Sequence, residues 1–567
     1  MRESRTSDDH DLEKCDTRGS KPGSNSGSDT TSDSGHREPH DASGQPVSRA
    51  ASRALSRTIS EVRDGIESRR DLEDGELTEE EENTAAATAP DTTDPNLVTW
   101  AGPDDPENPK NWPFPKKWGV VFIVSMFTFV SPVSSSMVAP SLTAIGAEFG
   151  IAEGFQQNIV LSVFVLAYAI GPLVWGPLAE IYGRVSVLQY SNLGFLAFTL
   201  GCAFSRTKGQ IIAFRFLSGL GGSASLAIGG GVLSDLFVAE QRGRAISIYS
   251  LAPLLGPAVG PIAGAFITEN TTWRWAFWAT SIADAVIQGA GLFFLRETYA
   301  PLLLNRKRQR LIAETGNAAL RTPFDDAKSD SRSLPSILAT AMTRPFRLVA
   351  TQIIVQCIAL YMMYIYGLMY LLLASFPVLF TSPPPSGYGM SIGIGGLNYI
   401  SLGLGFFVGA QTSAPLQDRI YAALKRRYGG VGKPEYRVPM IIPGSIFIPF
   451  GLLIYGWTAE FKTHWIGPNI GAFVFAVGAI ICFQSLQAFV VDSYQRYAAS
   501  AVGAATVLRS LAGFGFPLFA PYMYDRLGYG WGNSLMAFLG IAIGWPSPIL
   551  LWKYGEVLRK KSPFAAG

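Results

Sequence analysis

Three charged side chains interrupt otherwise apolar runs. Asp284 stands in the middle of ATSIADAVIQGAG with no basic residue beside it, and Arg215 and Arg509 lie within two further runs. On insertion scales a charge at the centre of a membrane helix costs about 2.5–3.5 kcal/mol, so each calls for a reason. A carboxyl group held there can load and release a proton, which makes Asp284 the candidate proton-coupling residue. The competing reading is a hydrogen-bonded aspartate that fixes helix packing. Arginine keeps its charge and needs a carboxylate, carbonyls or water around it. Arg215 and Arg509 therefore read either as buried structural groups or as cations acting on the proton site or an anionic substrate.

Polar and aromatic side chains in these runs are candidates to line an amphipathic cavity: Tyr168, Tyr361, Tyr364, Tyr370, Asn398, Phe483, Gln484 and Gln487. Gln484 and Gln487, three apart, fall on one helical face. The run LLGPAVGPIAGAFI, 254–267, places Gly256, Gly260 and Gly264 at every fourth position around Pro257 and Pro261. In a soluble helix each proline would cost about 3 kcal/mol and each glycine about 1 kcal/mol relative to alanine. Glycines four apart form a smooth face for a close neighbour, and irregular backbone is tolerated in a bilayer only where protein or a water-filled cavity covers it. Such a helix points to a transporter with a central cavity.

Nothing in the sequence supports an enzyme. It has no G-x-x-x-x-G-K-[ST] phosphate loop, and only His464 of 4 histidines lies near the apolar runs, so no cofactor or metal is expected. A net charge of +2 gives no reason to expect a nucleic-acid partner. Four cysteines, three of them inside apolar runs, make no disulfide framework.

These residues must be held by membrane helices. The chain has 567 residues, 48% hydrophobic and 16% charged, and mean hydropathy is +0.21 although the first hundred residues contribute almost none of it. Residues 1–99 are rich in Ser, Asp, Glu and Arg and read as a disordered cytoplasmic tail. Within it, 47–66 carries apolar residues at helical spacing between arginines, either a surface helix with phosphorylation candidates or chance periodicity. The start has no apolar h-region, so the first span is expected to direct insertion.

Twelve apolar runs are long enough to cross a bilayer at about 20 residues each. They are 118–140, 157–178, 185–204, 210–236, 243–267, 273–295, 347–380, 388–413, 439–457, 465–491, 499–523 and 531–552. Basic residues crowd alternate loops, above all the 297–346 loop and the end at Lys553, Arg559, Lys560 and Lys561. The other loops hold only Arg206, Lys208, Arg274, Lys462 and Arg526, so both termini are expected inside. The predicted fold is an all-α membrane protein of twelve helices in two pseudo-symmetric halves. Their limits are 100–296 and 347–553, joined by the cytoplasmic loop 297–346 and followed by a 554–567 tail. A weak repeat supports the division: GPLAEIYGR, 176–184, after the second run and APLQDRIYAALKRR, 414–427, after the eighth.

The sequence resembles the major facilitator superfamily, and within it the fungal twelve-span drug:proton antiporters of the cycloheximide-resistance, polyamine and toxin-efflux type. The stretch 176–184 resembles the loop signature G-x-x-x-D-x-x-G-R, with Glu180 in place of aspartate. Arg215 in RFLSGLGGSA resembles the fourth-span arginine signature. The segment 256–264 resembles the fifth-span antiporter signature, with Ala265 replacing its last glycine. DPENPKNWP, WRWAFW, GIGGLNYISLGLGFFVGAQ and WKYGEVLRK extend the likeness over most of 100–565. The resemblance implies a latch at the inner gate made by Glu180, Gly183, Arg184 and Asp235, with Glu180 facing a helix N-terminus. Asp492, beside Arg496, reads as an exposed helix-end charge.

The expected function is proton-coupled export of small amphipathic compounds, toxins or drugs, by a monomer in the plasma membrane or, alternatively, the vacuolar membrane. The partners expected are a small-molecule substrate, protons and the lipid bilayer. A polyamine:proton antiporter is one alternative, although a polycation calls for several cavity carboxylates and only Asp284 lies well inside a span. A receptor or scaffold acting through the tail is the other.

Overall fold

The computed structural model describes residues 96–102, 104–152, 154–325, 334–494, 497–562 and 564–565. The expected surface helix at 47–66 lies outside the described residues.

The first six crossing helices are α1 (Phe114–Met137), α2 (Phe155–Tyr182), α3 (Arg184–Ala203), α4 (Lys208–Leu236), α5 (Ala239–Asn270) and α6 (Arg274–Phe294). The next four are α7 (Ile353–Thr381), α8 (Tyr399–Arg427), α9 (Ile441–Glu460) and α10 (Ile466–Ser493). The helical stretch Ala498–Gly544 breaks at Gly528, whose φ of 68° and ψ of 176° belong to glycine, and so supplies α11 before the break and α12 after it. Counted at that break, the twelve apolar runs are twelve helices. Among the described residues the one β feature is an isolated bridge between Leu97 and Arg321.

The two halves pack by the same rule. In the first, α1 lies on α5 and α6, α2 on α4, and α3 on α4 and α6. In the second, α7 lies on α11 and α12, α8 on α10, and α9 on α10 and α12. The halves meet along two seams, α2 against α11 and α5 against α8, each joining the second helix of one half to the fifth of the other.

Close approach along α5 comes from small residues on two sides. A Cβ at Gly256, Gly260 or Gly264 would strike α1 at Pro132, Ser136 or Met137. On another face, Ala258 and Ala265 fill the space left by Gly403 and Gly396. Pro253, Pro257 and Pro261 are all accommodated within the helix.

Between the halves run the helices Ala300–Thr315 and Leu334–Thr351. The segment before α1 is tied to the first of them. Val98 N donates to Arg321 O at 2.8 Å, Arg321 N donates to Asn96 O at 2.9 Å, and Lys307 pairs with Asp105 at 3.3 Å. Residues 96–99, assigned by composition to the tail, are thus strapped to the central loop. Burial would raise the Asp105 pKa, but the amides of Ala101 and Glu107 and the Lys307 ammonium outweigh it and hold the carboxyl below its usual range.

Candidate functional site

At mid-depth the two halves face each other through side chains of α1, α2, α7, α10 and α11. Ser131 of α1 shares a hydrogen bond with Tyr168 of α2 at 2.6 Å, and Ser135, one turn on, shares one with Tyr370 of α7 at 3.0 Å. The second of these bonds crosses from half to half. The rings of Tyr366 and Tyr370 lie 5.2 Å apart. Arg509 of α11 places its guanidinium 5.3 Å from the Tyr366 ring and 5.1 Å from the Phe483 ring. Tyr168 and Tyr370 lie within its electrostatic reach.

The two buried arginines are held differently. Arg215 is fully buried and donates to four main-chain carbonyls, Ser134 O at 2.8 Å, Ser135 O at 3.0 Å, Val160 O at 3.1 Å and Leu161 O at 3.5 Å. The Phe164 ring covers it at 4.5 Å. The two serine carbonyls are free to accept because α1 ends at Met137. Arg215 thus clamps α4 to α1 and α2. Arg509 makes no hydrogen bond or ion pair among the described residues, and its Nε is buried without an acceptor.

The other cavity candidates separate. Phe483, Gln484 and Gln487 are half-buried on α10, and the Gln484 amide oxygen has no partner among the described residues. Tyr361 and Tyr364 turn into the second half instead, to Cys482 Sγ at 3.4 Å and Met536 O at 2.5 Å. Asn398 caps the short helix Ile392–Leu397 and accepts from Asn469 at 2.5 Å, at the start of α8. Tyr366, Ser131 and Ser135 were missed. The signal was the serine-rich end of α1, SPVSSS, where 131 and 135 share a face.

Asp284 is fully buried at the seam of α6 and α3. Its Oδ1 accepts from Asn192 at 3.0 Å, and Asn192 also donates to Gln288 at 2.8 Å, which donates to Gln189 Oε1 at 2.7 Å. Its Oδ2 has no partner among the described residues. Its hydrogen-bond partner among the described residues lies within the first half.

At the end of the molecule that carries the central loop, Arg184 Nε binds Asp235 at 2.5 Å. The N-terminus of α3 is taken by Glu297, which accepts from Arg184 N at 3.0 Å and Val185 N at 3.2 Å and from the amides of Thr298 and Tyr299, both at 3.0 Å. Gly183, at φ 97°, makes the turn and leaves the space the carboxylate enters. Glu180 is exposed, and the helix N-terminus expected for it belongs to Glu297. The second half repeats the pair: Arg437, just before α9, binds Asp492 at the end of α10 at 2.9 Å and Asp418 of α8 at 3.0 Å. Asp492, read as a helix-end charge, is therefore the counterpart of Asp235.

Two six-helix halves related by pseudo-symmetry, with buried polar and aromatic side chains where they meet and a repeated Arg–Asp ion pair at one end, define a membrane carrier. A family model for the Major Facilitator Superfamily matches residues 124–517, and the chain belongs to that family of transporters. It is a multi-pass membrane protein and not an enzyme. It is 51% identical to a protein of Penicillium aethiopicum named efflux pump vrtL, over 84% of this chain and 92% of that one. It is 43% identical to efflux pump radE of Floropilus chiversii, over 86% and 90% of the two chains. Among solved structures it is similar to the xylose transporter XylE from E. coli in a partially occluded inward-open conformation. That likeness has TM-score 0.54 and 15% identity, over 78% of this chain and 98% of that one.

Proposed function

We propose that the chain is a proton-coupled exporter of small amphipathic organic compounds. The observation that carries this reading is the cluster where the halves meet, in which Tyr168, Tyr366, Tyr370 and Phe483 place aromatic surface beside hydroxyls and a guanidinium. Such a lining suits a compound with an apolar body and a few polar groups. The relatives named as efflux pumps support the outward direction. Both seams between the halves are internal to one chain, which supports a monomer. The basic loops support an orientation with both termini and the 297–346 loop in the cytoplasm, and the plasma membrane is the membrane proposed.

Proton motive force is the proposed energy source, with Asp284 as the coupling acid. Its burial and its unpartnered oxygen support that role. Polyamine exchange is disfavoured, because the charged group beside these rings is the Arg509 guanidinium. The test is deletion of the gene in its organism of origin, followed by comparison of compounds in cells and medium. At least one compound should be retained in the cells, cleared when the gene is restored, and retained again with a protonophore while ATP is held constant. Unchanged distribution in the deletion strain, or clearance that survives the protonophore, rejects the reading.

A further inference from the structure

We infer that the exported compounds are organic anions, carboxylic acids or acidic phenols on an aromatic body, held at Arg509. This rests on the export reading and narrows its substrate.

The two buried arginines differ in what satisfies their charge. Both keep their charge, because the guanidinium does not deprotonate in proteins. Four carbonyls satisfy Arg215. Nothing comparable surrounds Arg509, whose Nε is sealed without an acceptor while the side chain as a whole stays half-buried. A cation away from bulk solvent is strongly destabilising unless its charge is matched. Among the described residues no carboxylate pairs with it. In the second half, Asp418 and Asp492 are taken by Arg437, and Glu435 by Arg559. In the first half, Asp284 is engaged by Asn192 across the α3–α6 seam. The acceptor must therefore enter with water or with the transported compound.

The neighbouring groups select among acceptors. A carboxylate matches the planar fork of a guanidinium in two parallel hydrogen bonds. Phe483 and Tyr366 flank the same guanidinium at 5.1 and 5.3 Å, so an aromatic body attached to the anion meets rings. The hydroxyls of Tyr168 and Tyr370 are already bonded to Ser131 and Ser135 and remain able to accept or donate once more. A polycation would meet the like charge of Arg509, and is repelled.

The experiment uses the full-length protein in the deletion strain. The compounds retained there are separated by charge at neutral pH, and the expected class is anionic. Inside-out vesicles carrying the wild-type protein should then take up the retained acid, and its methyl ester, which keeps the aromatic body and removes the charge, should compete at least about ten-fold less well. Arg509→Gln at normal membrane abundance should lower uptake about ten-fold or more, with Arg509→Lys intermediate. Retained compounds that are neutral or cationic, equal competition by the ester, or wild-type uptake by Arg509→Gln would each overturn the inference. Should Arg509→Gln fail to reach the membrane, the charge class and the ester decide. If no compound is retained at all, the export reading itself fails, and this one with it.

Discussion

The main chain of Arg184 and the side chain of Glu297 are joined at 3.0 Å, while the Arg184 guanidinium turns the other way to Asp235. One residue thus ties the start of α3 to both the end of α4 and the segment after α6. The Glu297 carboxylate accepts from four backbone amides, so it neutralises the positive end of α3 and fixes the turn that follows α6. Replacing Glu297 with Gln removes the charge and half of the acceptor capacity. Hydrogen bonds to charged groups contribute about 1.5–3 kcal/mol each, discounted here by partial exposure, and the expected net loss is about 2 kcal/mol. Thermal unfolding in detergent should begin earlier for Glu297→Gln and be unchanged for Glu180→Gln, whose side chain is exposed. Equal behaviour of the two variants would remove Glu297 from this role.

The glycine face of α5 makes a steric prediction with its own control. A Cβ at Gly264 would meet the main-chain oxygen of Met137, and one at Gly260 would come within 2.7 Å of Val133 O, so α1 must move as a backbone. Overpacking of this kind costs about 1–3 kcal/mol. Gly289 on α6 and Gly230 on α4 have nothing within 4 Å of a Cβ. Gly264→Ala and Gly260→Ala should lower the folded yield in membranes, and Gly289→Ala and Gly230→Ala should not. A uniform response across the four would show that helix propensity and not contact sets the outcome.

The segment before α1 offers a pH test. Asp105 is held below its usual range, so its contribution to stability is complete above the unfolded value of about 3.9 and is lost as pH falls through the lower folded value. Acid release of the strap therefore belongs below about pH 4, and none is expected between pH 5 and 8. Asp105→Asn should lose the contribution at every pH. Hydrogen exchange at the Val98 and Arg321 amides, which bond across this strap, reads it when variant and wild type are compared at the same pH. Equal protection in the two at pH 7 would show that the Asp105–Lys307 pair adds nothing.

The helices and their grouping were legible because apolar length and loop charge are local properties of the chain. The break at Gly528 falls between the eleventh and twelfth runs for the same reason. The partners of charged residues were less legible. Arg184 and Asp235 came from a resemblance to a loop signature, whereas their counterparts Arg437 and Asp492 are 55 residues apart and carry no such signature. Glu297 was hidden because it acts on backbone amides of a helix more than a hundred residues earlier. Tyr361, Tyr364 and Tyr370 looked equivalent in one helix. Only packing separates the two that turn to Cys482 and Met536 from the one that meets Ser135 of the other half.

Asp284 carries the last prediction. It lies on α6 at the seam with α3, away from the Arg509 cluster, so a proton there is expected to act through the packing of the first half. Proton-coupled alternating access needs a group whose proton occupancy differs between conformations. The chain Asn192, Gln288 and Gln189 gives such a group a hydrogen-bonded setting in which one carboxyl oxygen is bonded and the other is unpartnered among the described residues. Asp284→Asn retains an oxygen for the Asn192 donor and puts its amide nitrogen where the unpartnered oxygen stood. The variant should therefore fold and reach the membrane in normal amount. It cannot release a proton, and so should lose export against a gradient while still exchanging substrate down one. Asn192→Leu supplies the converse, since it leaves the acid in place and removes its one hydrogen-bond donor among the described residues. That variant should keep gradient-driven export with a displaced pH dependence. Uphill export by Asp284→Asn at the wild-type rate across the pH range would make Asp284 a packing residue and move the coupling site elsewhere.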